Sequence, residues 1–284
     1  MRSIKNIHKA EYRPIADLIT YSPMPTQDLQ MIDPFIFLNH HGPQKYAPNN
    51  NGLPFGPHPH RGMETVTFIL EGDISHKDSD GHNSIIQSGG VQWMTAGSGL
   101  IHAEVSSDDF KKRGGNLEIL QLWLNLPAKL KMTKPQYKGF QKDEIPKISL
   151  DDGKIDVQVV SGNFIGTKGA FQTLININLA TLYLKGSGKL NLTVQKENNI
   201  FFYVIKGGLL VNKKQVKALE LAEFENDDEH LTIEAQTDSV LLFGHAAPLN
   251  EPVVARGPFV MNSMDKIQQA YNDYETGKFG VWKE

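Results

Sequence analysis

Two short pairs, His58-Pro59-His60 and His102-Ala103-Glu104, constrain this chain more than any other feature. Each sets two metal-ligating side chains at positions i and i+2. On a β-strand such positions share a face, because successive side chains alternate. Two neighbouring strands would then aim three imidazoles and one carboxylate at one point. That donor set suits a divalent transition metal with coordination positions left open for chemistry. A single His-x-His is weak evidence. Two same-face pairs beside glycine-rich turns in one β-rich stretch favour a metal over unrelated histidines.

The surrounding sequence supports strands. Glu64 to Leu70 is β-branched and aromatic and ends at Glu71-Gly72. Asp78-Ser79-Asp80-Gly81 marks a tight turn, and Val91 to Thr95 closes before Gly97-Ser98-Gly99. Along Leu117 to Leu126, residues Leu120, Leu122, Leu124 and Leu126 share one face. A second series of strand-like runs covers Ile155 to Phe243, and its Phe201–Gly208 segment (FFYVIKGG) echoes Thr67–Gly72 (TFILEG). The expected architecture is all-β: two tandem jelly-roll β-barrels with a C-terminal helix. The domains divide into 1–131 with the metal, a Lys- and Pro-marked linker over 132–148, and a degenerate copy over 149–284. The helix is capped by Asn262 or Ser263, carries Met264, Ile267, Tyr271 and Tyr274 on one face, and stops at Gly277.

Composition excludes several classes. With no cysteine there is no disulfide framework, thiolate zinc site or cysteine nucleophile. A net charge of -3 gives no nucleic-acid footprint. No apolar stretch reaches the ~18 residues of a membrane span, and the N-terminus lacks the apolar region of a signal peptide. The expectation is a cytoplasmic monomer with no direct nucleic-acid or membrane partner.

Other candidates read as structural. His76 and His82 flank the Asp78–Gly81 turn and are expected to be exposed, and His40 and His41 to lie in a turn. Glu64 keeps the face of His60 at i+4, so it competes with Glu104 as fourth ligand; it could equally hold an imidazole N–H or pair with Arg61. Spacing leaves these alternatives open. Gly97-Ser98-Gly99 lacks the Lys-Ser/Thr of a phosphate loop, and no Gly-x-Ser-x-Gly elbow is present.

The two pairs resemble the cupin motifs. Gly52, His58, His60 and Glu64 fit the first, with Gly72 one residue late; Gly97, Gly99 and His102 fit the second, with Glu104 following. The likeness is closer to the pirin family of bicupins. It is carried by His58-Pro59-His60-Arg61-Gly62, Gln92-Trp93-Met94-Thr95-Ala96-Gly97, Ile101-His102-Ala103-Glu104, Leu120-Gln121-Leu122-Trp123 and Gly257-Pro258-Phe259-Val260-Met261-Asn262. These segments run in order along nearly the whole chain.

The resemblance implies a metal held by His58, His60, His102 and Glu104, which moves the carboxylate from Glu64 to Glu104. It implies iron first, with Mn, Ni, Co, Cu and Zn as alternatives. It also implies quercetin 2,3-dioxygenase activity on a small aromatic substrate with O2. In such a reaction Glu104 would take the substrate's proton, and the inner strand faces would supply apolar walls, with Phe35, Phe55 and Phe68 as candidates. A second implication is an iron-dependent redox-sensing regulator that acts through a protein partner.

Overall fold

The computed structural model describes residues 1–283, and its regular structure is mostly β-strand, with a short helix, Asp108–Arg113, and one long helix, Met264–Glu275. The chain forms two compact units, each built on the same plan of one seven-stranded and one four-stranded sheet. The all-β, two-copy expectation therefore holds.

The histidine-bearing unit comprises Tyr12–Tyr21, Ile36–Asp143 and the C-terminal segment from Leu249. Its four-stranded sheet runs in the order Phe55–His60, Leu100–Val105, Asp73–Asp78, Asn83–Gln87. The larger sheet includes Gln136–Phe140, Val91–Thr95, Met63–Glu71 and Gly115–Asn125 as successive neighbours. Ile69, Ile74, Ile86, Phe110, Leu117 and Ile119 bury themselves in one cluster and draw the two sheets together.

The other unit comprises Met1–Glu11, Ser22–Phe35 and Glu144–Pro248. Its hydrophobic core includes Val157, Leu182, Phe202, Leu209, Leu231, Ile233 and Leu241.

The boundaries differ from the expected 1–131, 132–148 and 149–284. The segment read as a linker is strand at both ends. Gln136–Phe140 pairs with Val91–Thr95, and Lys147–Leu150 pairs with Ile155–Ser161. Both are terminal strands of their sheets. Edge strands tolerate the lysines and flanking prolines that make a segment read as a linker. The C-terminal helix belongs to the histidine-bearing unit, and the N-terminal strand Ile4–Lys9 pairs with Glu220–Phe224 in the other. Local sequence encodes a helix but not the sheet it will cover.

Ser263 is the helix N-cap, with extended backbone and its hydroxyl facing Lys266 N, and Gly277 takes φ +77° just past the end. The buried face is Ile267, Ala270 and Asp273, while Met264 is 53% exposed. The face is thus rotated from the expected one, with Tyr271 edge-on to Phe259 at 4.8 Å.

Candidate metal centre

Strand pairing brings the two sequence pairs together. His102 lies opposite His58 on one side and Asp78 on the other; Leu100 lies opposite His60, and Glu104 opposite His76. Ring centroids are 4.9 Å apart for His58 and His60, 4.4 Å for His58 and His102, and 5.0 Å for His60 and His102.

The hydrogen bonds fix how the nitrogens are used. His58 Nδ1–H donates to Gly56 O at 2.7 Å, and His60 Nδ1–H donates to Pro258 O at 3.1 Å. Both Nε2 atoms then present lone pairs. His60 Nε2 and His102 Nδ1 are buried without a hydrogen-bond partner, and the Nε2 atoms of His58 and His102 stand 3.0 Å apart. Orphaned buried nitrogens are costly unless something binds them. Burial, with His58 beside it, pulls His60 down to about 3; burial also pulls His102 well below the ordinary value, with His60 and His58 adding to it. Both imidazoles are therefore neutral at pH 7, the form that ligates a metal. The residues fit a divalent cation.

Glu104 is clamped. Its Oε1 accepts from Thr67 Oγ1 at 3.0 Å and from Gln92 Nε2, and its Oε2 accepts from Gln121 Nε2. Its ligand atom groups with those of His102 and His76, while His58, His60 and His102 form a separate group; within each, the atoms lie within 4.8 Å of one another. His102 is common to both. The four expected ligands therefore occupy two overlapping triads.

His76 is fully buried, contrary to the expected exposed position. It stacks on Tyr137 at 3.8 Å and 11°, and its Nε2 meets Asp78 Oδ2 at 3.2 Å, while the exposed His82 meets the same carboxylate at 2.9 Å. The hairpin reading was right about the turn; His76 lies on the face that the larger sheet covers. His40 and His41 are likewise buried, inside the strand Phe35–Tyr46, where His40 pairs with Glu118 at 2.9 Å and His41 with Thr20 at 2.9 Å.

Glu64 stands apart from both triads. Its Oε1 accepts from Thr95 Oγ1 at 2.6 Å, its Oε2 is buried without a partner, and Arg61 pairs with Asp273 instead, at 2.8 Å. Burial pushes Glu64 up to about 7. A raised folded pKa contributes stability that is complete below the unfolded value of 4.5 and lost as pH rises through about 7. Glu64→Gln is therefore expected to raise stability at pH 8 by roughly 2 kcal/mol and to change little at pH 5. Urea unfolding at the two pH values checks this, and metal content should stay the same.

The wall is Trp123, edge-on to His60 at 5.1 Å, with Phe37 stacked on it at 4.4 Å. Trp123 Nε1–H donates to Gln121 Oε1 at 3.2 Å, which joins the wall to the Glu104 clamp. Of the expected walls, Phe55 packs on His41 at 5.1 Å and Phe68 is buried in its sheet; Phe35 belongs to the other unit and packs on Phe201 at 5.1 Å. Gln121 and Trp123 enter the sequence reading only within the Leu120-Gln121-Leu122-Trp123 likeness, with no role of their own. Their period-2 alternation with those leucines was the available signal.

Comparison with known proteins fits this fold. The pirin model matches residues 17–124, and the model of the pirin C-terminal cupin domain matches residues 179–280. A Pseudomonas aeruginosa protein provisionally named a quercetin 2,3-dioxygenase is 37% identical over 94% of this chain and 92% of its own. A pirin-like protein of Caulobacter vibrioides is 36% identical over 89% of this chain and 90% of its own. A crystal structure of quercetin 2,3-dioxygenase from Acinetobacter baumannii superposes with a TM-score of 0.93 and 33% identity over 99% of both chains. Two tandem cupin barrels, the order of the motifs and these matches together make this chain a member of the pirin family.

Proposed function

We propose that this chain is a metal-dependent dioxygenase of the quercetin 2,3-dioxygenase type, acting on a flavonol-like aromatic substrate with O2. The observation that carries this is three imidazoles converging beside a clamped carboxylate, under the Trp123–Phe37 wall. His58, His60 and His102 would hold the ion with Glu104; iron is the first choice, with Mn, Ni, Co, Cu and Zn as alternatives. Bound there, a divalent ion supplies Lewis acidity that lowers the pKa of a coordinated hydroxyl. The protein's own part is orientation and proton handling. Gln121 donates to Oε2 of Glu104 and holds the carboxylate in place, where it takes the substrate's hydroxyl proton. Thr67 and Gln92 occupy the other oxygen and stop the carboxylate from rotating. The aromatic wall receives a flat ring and excludes water.

The test is elemental analysis of the protein as isolated, then quercetin turnover under air on that sample and on Fe-, Mn-, Ni- and Co-loaded protein. Loss of the substrate's absorbance with carbon monoxide release is expected. No turnover with any of these metals would sink the proposal and leave the partner-dependent regulatory role.

A further inference from the structure

The second barrel carries its own cavity at the position that corresponds to the metal centre. Strand register gives the correspondence once the turns at Gly72 and Gly207 are aligned. His76, four residues after Gly72, pairs with Glu104; Val211, four after Gly207, pairs with Ile233. Two residues back, His102 pairs with His58, and Leu231 pairs with Leu192. Leu100 then pairs with His60, and Glu229 with Val194. On the larger sheets, Trp123 pairs with Thr65 and His245 with Ile200, each partner seven residues before its glycine. The metal ligands His58, His60, His102 and Glu104 are therefore matched by Leu192, Val194, Leu231 and Ile233, and the wall residue Trp123 by His245.

A cavity of about 690 Å³ opens at this matched place, with Leu192, Val194, Phe243 and His245 in its lining. That is the size range of small-molecule sites. Not one Lys, Arg, Asp or Glu lines it, although charged residues make up 21% of the chain. Six residues with amide side chains do, among them Asn163, Asn178, Asn191 and Asn198. Asn198 Nδ2–H donates to His245 Nδ1 at 3.0 Å, so the ring's remaining proton is on Nε2, a donor without a recorded partner. Burial lowers His245 to about 4, which keeps it neutral.

We propose that this second-barrel cavity binds an uncharged ring compound bearing several hydroxyl groups. An amide carries two donor hydrogens and an acceptor oxygen, the pairing that a hydroxyl needs; Asn163 and Asn178 each accept one backbone N–H and keep their NH2 groups for a ligand, and Asn198 keeps one N–H beyond its bond to His245. Leu192, Val194 and Phe243 supply an apolar floor for the ring's face. No charged side chain lines the cavity, so a charged ligand would be desolvated there; Arg2, whose charge reaches His245, is already engaged by the carbonyls of Gln195, Asn198 and Glu225. Two sources share this chemistry, a polyphenol and a pyranose. The inference does not depend on turnover in the first barrel.

The test uses the zinc-loaded full chain labelled with 15N-asparagine, titrated with phloroglucinol, methyl β-glucopyranoside and, as a charged counterpart, glucuronate. Saturable shifts of side-chain amides that vanish or weaken about tenfold in Asn191→Arg and in His245→Gln are expected. Asn191 is exposed, so its variant folds even if the other is destabilised. Response to the phenol alone identifies a polyphenol site, and response to the glucoside alone a sugar site. The proposal is overturned by silence with both neutral probes up to their solubility, by shifts that neither variant reduces, or by glucuronate binding as well as the glucoside.

Discussion

Replacing His102 with alanine is expected to take the metal content from about one ion per chain to near none, and activity with it. His102 is the one residue common to both triads, so its loss leaves neither with three donors. Outer-sphere changes alone weaken metal binding about 10–100-fold, and removal of a direct ligand costs more. The comparison with His58→Ala and His76→Ala decides where the ion sits. If His58, His60 and His102 hold it with Glu104, His58→Ala empties the site and His76→Ala keeps its ion. The reverse pattern would place the ion at His76, His102 and Glu104. A second readout is independent of catalysis. A ligand that binds only the folded state raises the unfolding temperature with its concentration, so added metal should stabilise the parent protein and leave His102→Ala unmoved.

The convergence of His58, His60 and His102 was legible because period-2 alternation and strand pairing are local rules that translate directly into geometry. The position of Glu104 was legible only in part. It shares a strand face with His102, but the ladder to Phe55–His60 shifts register between His102 and Glu104. A bulge of this kind re-aims a side chain and has no signature in the spacing. His76 escaped for a related reason. The turn beside it is polar, so its neighbourhood reads as exposed, yet its strand lies beside Leu100–Val105 with Tyr137 stacked over the ring. Tyr137 comes from the segment read as linker, which no local pattern ties to this sheet. The C-terminal segment was the least legible part. Pro258, Val260 and Asp273 reach His60, Arg61 and Lys131 across well over a hundred residues of intervening chain. Helical periodicity predicts that Met264–Glu275 forms, and nothing in it predicts that this segment supports the metal ligands.

That support is tested most directly at Lys131. Its side chain is 1% exposed and burial lowers it to about 7, while its Nζ, which as the ammonium has three hydrogens to give, donates to Gly62 O at 2.8 Å, Asn125 Oδ1 at 2.6 Å and Val260 O at 3.0 Å. Three donors thus meet three acceptors, and they join the turn that follows His60 to the C-terminal segment. Val260 N also donates to Arg61 O at 3.0 Å, and two residues earlier Pro258 O receives the Nδ1–H of His60. Lys131→Met keeps the side chain's volume and removes the ammonium, leaving three buried oxygens without that donor. The expected loss is roughly 3 kcal/mol of folding stability, about one per orphaned acceptor. Metal affinity should fall about tenfold as well, because the carbonyl that fixes the His60 tautomer is no longer held in place. The two effects separate by experiment: urea unfolding of metal-free protein reads the first, and metal titration well below the unfolding transition reads the second. A variant that lost stability but bound metal normally would show that Lys131 only fastens the segment. One that kept its stability within about 0.5 kcal/mol would show that the three contacts contribute nothing. Loss of both is the expected result, since the residues that hold the C-terminal segment also hold the ring of His60.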